Sequence, residues 1–333
     1  MRVRVVLPAL LLAALATIAL GPAAKLAGGV AACHAGAWSL ARGEYRSELQ
    51  AGVLATSSYY NSEGTRLEFA RAPGKLERLG VTWRNEVGWR KRLSLQFAIT
   101  GLSVSGFDGP PLVIAGQDSV PTRSGLAQVD LGLHLNVMNG DRAMALEAGP
   151  HAPAGYDRVT DAALGDGRQE LYGRLNVGST LGRHGFMELS AGSSYRFHKI
   201  GSGSEQSNLD PRLTTNVYYD FGADLGLWFG RSILLGGRYQ GRMLGTTTGK
   251  GTLSDIHDVG PIRLIGDAQL DNSFQLAGPL LLYRVDERLD VMAGGLSTPT
   301  GHNTLHFDEY YVSLVFKQSK LKRNQGFLGS SAP

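Results

Sequence analysis

Cysteine is all but absent: Cys33 is the only one in 333 residues, so no disulfide framework can staple this chain. Long apolar runs are scarce as well. After Leu20 nothing approaches the roughly 18 residues that a spanning helix needs, which excludes a helical inner-membrane protein yet leaves strands open as a way across a bilayer. A dominant charge is lacking too. The 33 basic side chains face 29 acidic ones, spread and mixed along the sequence, and no basic stripe marks a nucleic-acid partner. Neither a metalloprotease helix motif nor a nucleophile elbow occurs. Gly249, Lys250 and Gly251 only mimic a phosphate loop, with Gly251 where Ser or Thr belongs. Ser193 shares its face with no histidine of the neighbouring segments, so the pair that a membrane-embedded lipid hydrolase needs is missing. No enzymatic activity, cofactor or metal is therefore expected.

What is present begins with a targeting pattern. Arg2 and Arg4 precede an apolar run from Val5 to Leu20, and small residues follow, which is the plan of a secretory signal peptide. Cleavage after Ala35 is preferred to cleavage after Ala24, because Gly36 to Leu40 leads directly into the first strand pattern. A cut there also discards Cys33. The rival is a lipobox over Val30–Cys33, although Lys25 interrupts the apolar approach that usually precedes one. The expected organisation is a signal peptide over 1–35, one domain over 36–318 and a basic, patternless C-terminal tail over 319–333.

The domain is written in a period of two. In Leu79–Ile99, Leu79, Val81, Trp83, Val87 and Trp89 alternate with Gly80, Thr82, Arg84, Glu86 and Gly88, and only Asn85 breaks the apolar row. After Arg90, Lys91 and Arg92 the pattern restarts with Leu93, Leu95, Phe97 and Ile99. Two alternating segments with so short a link form an antiparallel hairpin. The same texture covers 44–60, 125–137, 142–149, 170–198, 216–242, 289–295, 310–316 and, less regularly, 267–285. Links near Lys91, Asn139, Gly182, Gly230 and Glu287 are tight, whereas those near Gly64, Pro111, Ala154, Ser204, Lys250 and Pro299 are long. Alternating short and long links, an even number of about 12 strands and the 45 glycines predict an all-β fold: a single antiparallel up-and-down transmembrane β-barrel, with short turns and both termini on the periplasmic side.

In such a barrel the apolar row touches lipid and the polar row lines the lumen. The lumen candidates are Arg84, Glu86, Gln128, Asp130, His134, Glu170, Arg174, Glu188, Arg196, Asp220, Asp224, Arg238 and Arg242. Both signs occur among them, so they either brace the wall or form a track for a solute. His134 and His198 read as wall residues. Trp83, Trp89, Tyr195, Phe197, Tyr219 and Phe229 suit aromatic girdles at the membrane interfaces. About twelve strands leave a narrow lumen. The expected partners are outer-membrane lipid and an unidentified small solute, with the barrel acting as a monomer.

Three passages, GLAQVDLGLHLNV (125–137), ALEAGPHAPAGY (145–156) and EYYVSLVFKQSKLKRNQGF (309–327), resemble the transporter-like outer-membrane barrels named for the meta-pathway of phenol degradation. That resemblance extends over most of the mature chain and carries no catalytic residue. It implies an outer-membrane channel or facilitator for small, often aromatic or hydrophobic compounds.

Overall fold

The structure is a computed structural model that describes residues 37–38, 40–60, 63–68, 76–105, 123–154, 169–182, 184–197, 215–248, 273–302 and 304–318. The signal segment, the tail 319–333, the Gly249–Gly251 passage, His198 and most of the long links lie outside the described residues.

Among the described residues, thirteen strands form one sheet. They are β1 (Tyr45–Tyr60), β2 (Arg66–Glu68), β3 (Leu76–Arg90), β4 (Leu93–Ser105), β5 (Arg123–Met138), β6 (Arg142–Pro153), β7 (Gln169–Thr180), β8 (Gly185–Phe197), β9 (Thr215–Phe229), β10 (Ile233–Thr248), β11 (Ser273–Arg284), β12 (Leu289–His302) and β13 (Thr304–Gln318). From β3 to β13 each strand pairs antiparallel with its neighbour in sequence, β3 pairs with β1, and β13 closes the circle on β1 from Tyr45↔Gln318 to Tyr60↔Thr304. The short β2 only extends the ladder at Ser58–Tyr60. The result is a closed up-and-down barrel of 12 long strands, which leaves no open sheet edge.

Alternation decides which way each side chain points. On β5, Leu131 and Leu133 are each 51% exposed, whereas His134 between Leu133 and Leu135 is fully buried. Exposed apolar side chains occur on every long strand except β12, among them Leu49, Leu95, Leu146, Leu175, Leu189, Leu227, Leu235, Leu281 and Phe316. An apolar patch of that extent is far beyond what a water-facing surface carries. The polar rows turn inward. The turns at Lys91–Arg92, Gly140–Asp141, Leu181–His184, Gly230–Ser232 and Val285–Arg288 gather at one rim. Gly230 takes φ 69°, a left-handed conformation that glycine adopts without strain.

Several sequence expectations need correction. The link near Pro299 is not a long loop: β12 runs on to His302 and only residue 303 separates it from β13. Pro299 is tolerated because the β11–β12 ladder slips there, from Ala277↔Ser297 to Gln275↔Thr300, so its missing N–H breaks no bond. Likewise β6 continues to Pro153 instead of stopping at Gly149. Trp83 stands mid-strand and not in a girdle. Its Nε1 donates to Ser47 Oγ at 3.0 Å and its ring meets Phe97 edge-on. Asn85 survives on the apolar face because the Tyr45 hydroxyl donates to its Oδ1 at 2.5 Å, leaving it 8% exposed.

Candidate functional site

Among the described residues, polar chemistry is concentrated in the lumen, which is built from inward rows of neighbouring strands. On β3, Glu86 is 2% exposed. It accepts from Arg46 Nη2 at 2.6 Å and from Ser94 Oγ at 2.7 Å, and its Oε1 lies 3.3 Å from His134 Nδ1. Arg84 Nη1 donates to Glu48 at 2.9 Å. Farther round, Arg238 forms a two-pronged pair with Asp224 at 3.0 and 2.8 Å. Arg242 bridges two carboxylates, Asp220 at 2.7 Å and Glu170 at 2.9 Å. Glu170 also takes Arg196 at 3.1 Å. The buried Tyr218 ring lies under both Arg196 and Arg242, at 4.8 and 5.1 Å. These forks fix planar guanidinium groups against carboxylates with little freedom left.

On β5–β7 a second kind of network appears. Gln128 and His151 both bond Asp130, His151 Nδ1 at 2.6 Å. The His151 ring stacks on Tyr172 at 4.4 Å, and the Tyr172 hydroxyl donates to Glu147 Oε1 at 3.0 Å. Asn176 donates to the other Glu147 oxygen at 3.4 Å. Arg174, although Glu147 is its partner in register across the β6–β7 ladder, makes no hydrogen bond or ion pair with any of the described residues.

Opposite these charges the inward row changes character. Phe186, Leu234, Leu276, Leu280, Leu282, Met292, Leu296 and Tyr311 form one apolar cluster, with Trp38, Trp228, Phe274 and Phe307 packed against it. Most of it comes from β10–β13. The sequence reading found only a weak strand here because β11 is apolar on both faces: Leu280 and Leu282 point inward while Leu281, 41% exposed, points out. Without a polar row there is no period of two to detect.

The N-terminal segment enters the barrel at the short-turn rim. Gly43 and Gly88 join it to β3 through a 2.7 Å backbone bond. From there Ala37 and Trp38 reach β8, β5 and the β5–β6 turn: Ala37 N donates to Glu188 Oε2 at 3.2 Å, Asn136 Nδ2 donates to Ala37 O at 3.3 Å, and Trp38 Nε1 donates to Gly140 O at 3.0 Å. Ala37 is fully buried. Gly178 on β7 makes this possible, since a Cβ there would stand 2.3 Å from the Trp38 ring. Sequence reasoning missed this strap, whose signals are the inward glycines Gly88 and Gly178 at the ends of otherwise filled rows.

Between the strap and the long-link rim lies a cavity of about 530 Å3. Of the residues expected in the lumen, Arg84, Asp130, Arg174, Glu188, Asp220, Asp224, Arg238 and Arg242 line it. Phe274, Leu296 and Tyr311 border it from the apolar side. Glu86, Gln128, His134, Glu170 and Arg196 stand in the wall beside it, engaged with their partners. Arg46, Glu48, Glu147, His151 and Tyr172 also line the cavity and were not singled out from the sequence. Among the described residues no group of His, Cys, Asp and Glu suits a metal ion.

No family profile matches the sequence, nor does any curated protein. Solved structures do resemble the fold. An outer-membrane channel from Pseudomonas putida F1 superposes with a TM-score of 0.61 at 13% identity, over 88% of this chain and 100% of that one. The NanC porin gives 0.47 at 6% identity, over 82% of this chain and 100% of the porin. The translocator domain of the autotransporter NalP from Neisseria meningitidis gives 0.46 at 9%, over 84% and 90% of the two chains. The first likeness establishes the architecture, a β-barrel of the outer-membrane type. The meta-pathway resemblance thus stands at the level of the barrel.

Proposed function

We propose that this chain is an outer-membrane channel through which small solutes diffuse passively, its short-turn rim and both termini facing the periplasm. One juxtaposition carries the reading: an outward belt of exposed apolar side chains encircles a cavity of about 530 Å3 lined by fixed charges. Hydrocarbon solvates the belt, and water or a polar solute solvates the lining. The barrel functions as a monomer in contact with lipid around its circumference.

A second reading, a closed barrel acting through its long links, draws support from the buried strap and the paired lumen charges. Planar-bilayer recording separates the two. Stepwise currents from the full mature chain support the channel. Currents that appear only after removal of residues 37–41 make the strap its gate. Bilayers that hold correctly inserted barrel and stay silent in both cases overturn transport.

A further inference from the structure

We infer that Arg174 is a docking point for the anionic group of a solute with an apolar body, a small monocarboxylate carrying an alkyl or aryl portion, held in the cavity between a charged and an apolar wall. The inference deepens the channel reading and rests on it for the solute's route.

Arg46, Arg84, Arg238 and Arg242 border the cavity, each with a carboxylate at 2.6 to 2.9 Å. Arg174 borders the same cavity and has none among the described residues. The carboxylate placed across the ladder from it, Glu147, is already occupied at both oxygens by Tyr172 and Asn176. The guanidinium therefore keeps its fork of donors for a group that enters from the cavity. A carboxylate is the planar acceptor that such a fork fits with two parallel bonds. Across the space stand Phe274, Leu296 and Tyr311, which favour burial of hydrocarbon, with the carboxylate of Glu309 beside Tyr311 on the same strand. A cavity of about 530 Å3 is within the range for a small organic ligand. An inorganic anion would use the fork and leave the apolar wall unused, whereas an uncharged hydrocarbon would do the reverse.

The test uses the folded full mature protein in detergent and equilibrium dialysis of labelled hexanoate, with protein-free micelles as the blank. Because it measures binding and not conductance, its outcome is independent of whether the barrel conducts. Hexanoate is expected to bind at least about 10-fold more tightly than acetate, and Arg174→Gln to weaken hexanoate about 10- to 100-fold, the span of one or two charge-assisted hydrogen bonds. Arg174→Lys keeps the charge without the fork and falls between. Phe274→Ala weakens hexanoate while leaving acetate unchanged. Heat-modifiable migration on a gel verifies that each variant is folded. Equal binding of acetate and hexanoate removes the apolar half of the inference, and hexanoate binding that survives Arg174→Gln overturns it. Silent bilayers together with intact, Arg174-dependent hexanoate binding would refute the channel and keep the site.

Discussion

The two walls of the lumen solve the same packing problem with opposite chemistry. Along β3 and β7–β10 the inward row is rich in arginines and carboxylates, most of which, Arg174 apart, cancel one another in fixed forks. Along β11–β13 the inward row is mostly leucine, methionine and aromatic rings, with Glu309 among them, closed at the short-turn rim by Lys317 and Arg284 around the buried Asp290. The charged wall is stiff because each fork is directional, and every member depends on its partner. The apolar wall is dense, and any member is supported by all its neighbours without direction. A barrel with only the first wall would be a uniformly polar tube, and one with only the second would fill like a soluble core. Together they leave a cavity with two different sides, which is what an amphiphilic solute requires.

Removing one carboxylate from the charged wall should have the largest effect. Glu86→Ala strands Arg46 and His134 in the wall, and a broken buried pair costs about 3–5 kcal/mol. Denaturant unfolding in lipid, read by heat-modifiable migration, gives the number. The double change Glu86→Leu with Arg46→Met should recover most of it, because the two charges leave together. A double variant as unstable as the single one would mean that the fork itself, and not the stranded charge, sets the stability. The apolar wall should respond differently. Leu282→Ala leaves a cavity and costs about 2–5 kcal/mol, with no second substitution that restores it short of refilling the volume.

A third substitution tests the inside–outside assignment on which the comparison stands. Leu131→Arg places a charge on the lipid-facing row in the middle of β5, at a cost of about 2–4 kcal/mol. Gln240→Arg, on an inward and accessible position of β10, should stay within about 0.5 kcal/mol of the parent. If the two costs come out reversed, the apolar row is the inside and the membrane reading fails.

The charged wall was legible in the sequence and the apolar wall was not, for a physical reason. Arg84, Asp130, Glu170, Asp220 and Arg238 were assignable to one face because they interrupt apolar residues every second position. Which of them would pair was not assignable, since Arg238–Asp224 and Arg242–Glu170 depend on register and barrel stagger. The apolar wall hid for the converse reason: in β11 both rows are apolar, so Leu276 and Leu281 look alike in sequence although one is buried and the other exposed. Pro150, Pro153 and Pro299 misled the strand ends, because proline ends a central ladder unless a bulge or a barrel rim receives it. The strap was invisible, for a single crossing segment has no period at all.

The strap supplies a small effect on stability and the sharpest one on passage. Trp38→Ala removes one exposed hydrogen bond, to Gly140 O, and part of the packing at the end of the apolar wall, so the barrel should lose only about 1 kcal/mol. Ala37 and Trp38, however, reach from the short-turn rim to Glu188, Asn136 and Gly140, and their withdrawal removes that crossing from the lumen. Gly178→Val reaches the same end without touching the strap, since any side chain at 178 occupies the volume of the Trp38 ring. Both variants should raise single-channel conductance over the parent, and both should do so with the β-barrel still heat-modifiable. Conductance unchanged in both would show that the obstruction lies elsewhere, and an increase for Trp38→Ala alone would show that the indole, not the segment that carries it, fills the mouth.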